Sequence, residues 1–273
     1  MNFNTLDEIY KSNSIELVQQ SVLNGTYEYC DTEVCNKNTE LGIPSKHQIP
    51  EKLILGYDFG CNLKCPSCVS GIPDTIDDVI SANKINSHLI TMLNNMDTEI
   101  EVNVAGTADP FGSKVFRKLM HEVQNDNIKF DLQTNGLLLQ RYWDSIRSDN
   151  VRRVRISFDA ATPETYAVTR FPGNFDDLLR NVEFIIGERD HLGFELHSDF
   201  VIQQTNYTEI VPYIEMMLSY NFDTISFSRI QQWSMGEELF EKQAVWKPTH
   251  PEYSEYMKII NDPILTNPKI YLG

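Results

Sequence analysis

From about residue 51 onward, short β-branched runs alternate with longer amphipathic stretches, and this alternation constrains the fold more than any other feature of the chain. Repeated strand-helix units build a parallel sheet, because each amphipathic helix carries the chain back to the end where the previous strand began. The β-branched runs predict strands over 52–57, 100–104, 128–133, 154–158, 194–202 and 224–228. Between them, apolar residues spaced three and four apart predict helices over 75–93, 113–123, 138–146, 175–186 and 208–218. A parallel sheet of this order presents its functional loops at the carboxyl ends of its strands. The run Asp58-Phe-Gly-Cys61-Asn-Leu-Lys-Cys65-Pro-Ser-Cys68 stands at the first such end, directly after Leu53, Ile54 and Leu55.

Three closely spaced thiolates on one loop can hold three irons of a four-iron cluster and leave the fourth open to a small molecule. The spacing Cys61-x3-Cys65-x2-Cys68 after a strand resembles the signature of the radical S-adenosylmethionine superfamily. That resemblance implies a partial (β/α)6 TIM-like barrel and an enzyme. Its [4Fe-4S] cluster, reduced by a partner such as flavodoxin or ferredoxin, would cleave S-adenosylmethionine to a 5′-deoxyadenosyl radical.

Further elements of the resemblance occur in order over residues 52–230. Gly106-Thr107-Ala-Asp109-Pro110 stands where the superfamily usually has Gly-Gly-Glu-Pro. There Gly106 permits close backbone approach, Thr107 belongs to the same turn, and Asp109 is expected to accept from an ammonium group; the bland reading is a simple turn. Thr134-Asn135-Gly136 resembles the Thr-Asn-Gly element, although Asn-Gly is also an ordinary turn former. Ser157-x-Asp159, with Tyr166 and Arg170 downstream, resembles the Ser-x-Asp stretch. Ser157 and Asp159 on one side of a strand would hold ribose hydroxyls, and Arg170 the methionyl carboxylate. The alternative begins a helix at Thr162-Pro163 with Arg170 solvated on it. On the fifth strand Ile202 is expected against adenine and Gln203 or Gln204 at its polar edges. Ser67 departs from the aromatic residue that many members carry just before the third cysteine.

Twenty-three basic against thirty-nine acidic residues give a net charge of −16, which disfavours nucleic acid and anionic membranes as partners. Without a run of eighteen apolar residues or a signal-like start, the chain reads as cytoplasmic. Five cysteines, three of them in one loop, fit metal ligation better than a disulfide framework. The other two, Cys30 and Cys35, lie in a segment that resembles the auxiliary-cluster (SPASM or twitch) extensions of some radical enzymes, here placed N-terminally. They read as thiols packing an N-terminal cap, as partial ligands completed by His47, a partner or the substrate, or as hydrogen donors. The chain divides into that cap (1–50), a core (51–232) and a C-terminal extension packing on the barrel (233–273), with Trp233, Trp246, Tyr253 and Tyr256 against its outer helices. The expected substrate is a peptide, with a sugar or small metabolite as the alternative. Two rivals keep the fold without the chemistry: a zinc- or cluster-stapled binding protein, and a catalytically silent scaffold.

Overall fold

The computed structural model describes residues 12–29, 51–68, 76–105, 107–233 and 235–273. Cys30, Cys35, His47 and Gly106, to which the sequence assigns roles, lie outside them. The chain forms two compact units, 1–51 and 52–273. In the first, α1 (Asn13–Leu23) starts at Ser12, whose Oγ accepts from the Ile15 N–H at 3.4 Å.

The second unit runs β1 (Lys52–Leu55), α2 (Ile76–Asn94), β2 (Ile100–Val104), α3 (Lys114–Glu122), β3 (Ile128–Thr134), α4 (Leu139–Tyr142), β4 (Val151–Ser157), α5 (Pro163–Thr169), α6 (Phe175–Leu192), β5 (Glu195–Ile202), α7 (Ile210–Ser219), β6 (Thr224–Arg229), α8 (Glu237–Gln243), α9 (Tyr253–Ile260) and β7 (Ile270–Leu272). All seven strands pair in parallel and in chain order, the arrangement of a partial barrel. The expected six strands thus gain a seventh from the C-terminal extension. Three residues, Ile270-Tyr-Leu272, are too few for alternation to register in the sequence.

Strand parity separates two faces. Val102, Phe130, Leu132, Val154, Ile156, Leu196 and Phe200 are buried on one. Phe158, Phe200, Tyr213 and Phe227 interlock there, with ring centroids 4.7–5.8 Å apart. The opposite, inner face carries a charged ladder in register: Asp131 beside Arg153 beside Glu195, then Arg155 beside His197, then Ser157 beside Asp199 beside Ser226. Asp131, fully buried, lies 3.1 Å from both Arg153 Nη1 and Arg155 Nε, so its charge is compensated where it could not be solvated.

The C-terminal stretch settles on the carboxyl-end loops rather than on outer helices. Phe240 and Ala244 join Ile230, with Val201, Met235 and Trp246 packed against them. Gln243 O accepts from Gln204 N–H at 2.9 Å, and Tyr207 donates to Glu255 at 3.1 Å. Among the described residues no helix is long and apolar enough to cross a membrane.

Candidate active site at the carboxyl ends of the strands

The cysteine loop leaves β1 and is fastened to the loops of three other strands. Asp58 O accepts from Thr107 Oγ1 at 2.6 Å, Gly60 O from Asp109 N–H at 3.0 Å, and Phe171 O from Lys64 N–H at 2.7 Å. Glycine is required where two backbones meet. A Cβ on Gly112 would sit 3.1 Å from Cys61 Cα, and one on Gly60 3.0 Å from Ser113 Cα. Among the described residues, Cys61 receives Leu63 N–H at 3.4 Å and Asn135 Nδ2 at 3.7 Å, and Cys65 receives Arg170 Nη1 at 3.9 Å. Burial pushes the Cys61 thiol up to about 11 and raises Cys65 as well, so thiolates here need a compensating positive charge.

Asp109 lies at the centre of the site in a role other than the expected one. Its Oδ1 accepts from the N–H groups of Phe111 and Gly112 at 2.9 and 2.8 Å, and its Oδ2 from Thr134 Oγ1 and Asn135 N–H, both at 2.8 Å. Burial raises its pKa in spite of these four bonds. With every acceptor position filled, the carboxylate welds the β2 loop to the Thr134-Asn135-Gly136 turn and offers nothing to an ammonium group. Asn135 Nδ2 also donates to Asn62 Oδ1 at 2.9 Å, which places Asn135 directly against the cysteine loop.

At the end of β4, Ser157 is the last strand residue and Asp159 turns at φ 56. The parity that would set both on one side of a strand therefore ends between them. Asp159 Oδ1 accepts from Val201 N–H at 2.7 Å, and Oδ2 pairs with Arg170 Nη2 at 2.7 Å. The helix suggested by Thr162-Pro163 does form, with Thr162 as its cap. Arg170 is not solvated on it: it sits at the C-cap with its guanidinium turned inward. Burial opposes that charge, while Asp159 and Cys65 overcome the opposition and raise its pKa.

Beyond β5, a small open cleft is lined by Pro66, Ser67, Val168, Thr169, Gln203, Thr205, Met235, Leu239 and Gln243. Ile202 is 2 % exposed and shares the parity of Phe200, so it belongs to the core face. Gln203 lines the cleft. Among the buried side-chain donors of the described residues that lack a hydrogen-bond partner are Arg170 Nε and Gln203 Nε2, both at this site. Such orphans are costly unless a ligand satisfies them. The three-thiol loop, the charge beside it and the two open donors fit an iron-sulfur cluster with a polar organic molecule alongside. Among the described residues, no three His, Cys, Asp or Glu side chains group as ligands of a single ion.

Residues 59–189 match the sequence model of the radical SAM superfamily. The chain carries a radical SAM domain. A stretch of 125 residues is 26% identical to the probable GTP 3′,8-cyclase of Methanococcus maripaludis, covering 45% of this chain and 41% of that protein. A stretch of 167 residues is 26% identical to the GTP 3′,8-cyclase of Synechocystis sp., covering 60% and 49%. The chain thus spans less than half the length of these curated relatives. Among solved structures, Streptococcus suis SuiB bound to S-adenosylmethionine has a TM-score of 0.56 at 13% identity over 82% of this chain and 50% of SuiB. SuiB bound to its precursor peptide SuiA gives 0.55 at 12% identity over 95% and 62%. These likenesses show a shared fold.

C-terminal to the matched stretch, three supporting residues escape sequence reasoning. Glu209 accepts from Ala161 N–H, Thr162 N–H, Thr162 Oγ1 and Thr165 Oγ1 at 2.5–3.2 Å, clamping the start of α5. Asn206 Nδ2 donates to Asp159 O at 2.9 Å and Val201 O at 3.0 Å. Nothing local marks either, because their partners lie more than forty residues away or across a turn. Asp199 had a readable signal, the acid-His-acid spacing of Glu195, His197 and Asp199 along one strand face.

Proposed function

We propose that this radical SAM domain is the catalytic core of an enzyme that holds a [4Fe-4S] cluster through Cys61, Cys65 and Cys68, binds S-adenosylmethionine next to it, and modifies a peptide. The observation that carries the proposal is the cysteine loop at the end of β1, bolted to the β2, β3 and β4 ends with donors aimed at the sulfurs of Cys61 and Cys65. Held by Cys61, Cys65 and Cys68, such a cluster would supply the one electron that splits S-adenosylmethionine into methionine and a 5′-deoxyadenosyl radical able to take a hydrogen atom.

The chain's own residues hold and exclude. Ser157 and Asn135 stand at neighbouring strand ends for ribose hydroxyls, and Arg170 Nε is open to the methionyl carboxylate. With Asp109 committed, Thr107 Oγ1 keeps lone pairs for the ammonium group beyond its bond to Asp58 O. The cleft between Ser67 and Gln203 takes the adenine, where Gln203 Nε2 is an unpaired donor. Cys30 and Cys35 serve as auxiliary ligands or hydrogen donors, and a flavodoxin or ferredoxin supplies the electron. Peptide modification draws support from SuiB, described with a precursor peptide and alike in fold over 95% of this chain.

Anaerobic reconstitution followed by dithionite and S-adenosylmethionine tests the proposal. Release of 5′-deoxyadenosine is expected from the parent and none from Cys65→Ala. A fully loaded cluster that releases none would leave the catalytically silent scaffold. Faster release with the peptide encoded beside its gene, and not with GTP, supports the substrate class; stimulation by GTP alone overturns it.

A further inference from the structure

The donors on Cys61 and the donor on Cys65 are not equivalent. Leu63 N–H and the Asn135 amide, both on Cys61, are neutral. Arg170 Nη1, on Cys65, carries a full charge, and its side chain is only 14% exposed. The same guanidinium is held from the other side by Asp159, 2.7 Å away and 2% exposed. Asp159 is itself fixed by Val201 N–H on its Oδ1 and by Asn206, which grips its backbone carbonyl. A fixed cation and a fixed anion therefore stand in line behind one sulfur of the loop, the cation nearer, with little water to screen either.

We propose that Arg170 and Asp159 act as a charge couple that sets the reduction potential of the cluster held at Cys65. The inference rests on the cluster reading given above. Reduction adds one electron to the cluster, so its reduced form carries one more negative charge than its oxidised form. A buried cation beside a ligand sulfur stabilises the reduced form, and a buried anion behind it partly cancels that effect. The two residues thus pull the potential in opposite directions, the arginine upward and the aspartate downward. A role confined to binding S-adenosylmethionine moves neither potential when that molecule is absent.

The test is an anaerobic redox titration of the reconstituted full chain, followed by electron paramagnetic resonance without S-adenosylmethionine, after iron and sulfide analysis. Arg170→Gln is expected to lower the equilibrium constant for reduction about tenfold, a fall of about 59 mV for a one-electron couple. Asp159→Asn, which retains an oxygen for Val201 N–H, is expected to raise it by a similar factor. Arg170→Lys keeps the charge and stays within about threefold of the parent, and the double variant falls between the single ones. Should Arg170→Gln fail to hold a cluster, Asp159→Asn and Arg170→Lys carry the test. Clusters that load fully while both potentials stay at the parent value, or move in the same direction, overturn the charge couple. Absence of any cluster from the parent overturns instead the function on which it rests.

Discussion

Asp109 accepts from two loops at once, so its replacement tests how rigidly the site is built. Asp109→Ala leaves four donors without an acceptor, two of them backbone N–H groups within the same turn. The expected loss is about 3 kcal/mol or more, read as a lower urea midpoint together with reduced iron retention. Asp199 makes a prediction of another kind. Burial holds its carboxyl up at about 6, with Arg155 and Arg170 lowering it and Asp159 and Asp131 raising it. An unfolded aspartate titrates near 3.9. The folded value is raised, so this residue's contribution to stability is fully present below about pH 4 and is lost as pH rises through about 6. Asp199→Asn should therefore gain stability relative to the parent by about 1 kcal/mol more at pH 8 than at pH 5. A pH-independent difference between the two denaturation curves would remove the buried carboxyl as its cause. At this scale the place of Cys61, Cys65 and Cys68 on the loop after β1 was legible, because strand pattern and spacing are local. The hydrogen-bond partners of Asp109 and Arg170 were not, because motif position shows where a side chain starts and not which neighbour claims it.

Two glycines separate backbone strain from packing at the scale of the element. Gly193 ends α6 at φ 80 with nothing within 4 Å of where a Cβ would stand. Gly193→Ala costs only the left-handed conformation, about 1 kcal/mol. Gly136 has φ 82, but there a Cβ would lie 2.6 Å from Leu178 Cδ1 and 3.0 Å from Ile156 Cγ2. Gly136→Ala adds overpacking to the backbone term and should cost about 3 kcal/mol; equal losses in thermal unfolding would contradict this account. The α5 clamp belongs here too. Glu209→Ala removes the acceptor for four donors at the start of that helix, with an expected loss of about 2 kcal/mol. Because α5 ends at Arg170, S-adenosylmethionine affinity of the loaded protein should fall as well, measurable by equilibrium dialysis. The strands β1 to β6 and the helices α2, α3, α6 and α7 overlap the segments the sequence assigned to them, whereas α1, α8 and α9 were not assigned. The short α5 and β7 rest on caps and pairing partners.

Across the molecule, β7 is the least obvious structural part. It covers the edge of β6 along Ile225, Ser226 and Phe227, and Lys269 Nζ ties the same segment to Asn221 and Phe222 O at 2.8 Å. Deleting residues 269–273 exposes a β6 edge that carries buried apolar side chains, so a lower Tm and heat-induced association in light scattering are expected. Unchanged Tm and scattering would show that β6 needs no partner. By itself the sequence determined the order of strand and helix, the parallel sheet and the placement of three cysteines at a carboxyl-end loop. Periodicity, chain return and ligand spacing all act over short separations. Only tertiary structure decided that Asp109 serves the frame, that Asp159 and Arg170 bind each other behind Cys65, and that the C-terminal stretch closes over the strand ends. Those outcomes depend on which buried charges find partners from distant segments, a competition settled by desolvation once the chain has folded.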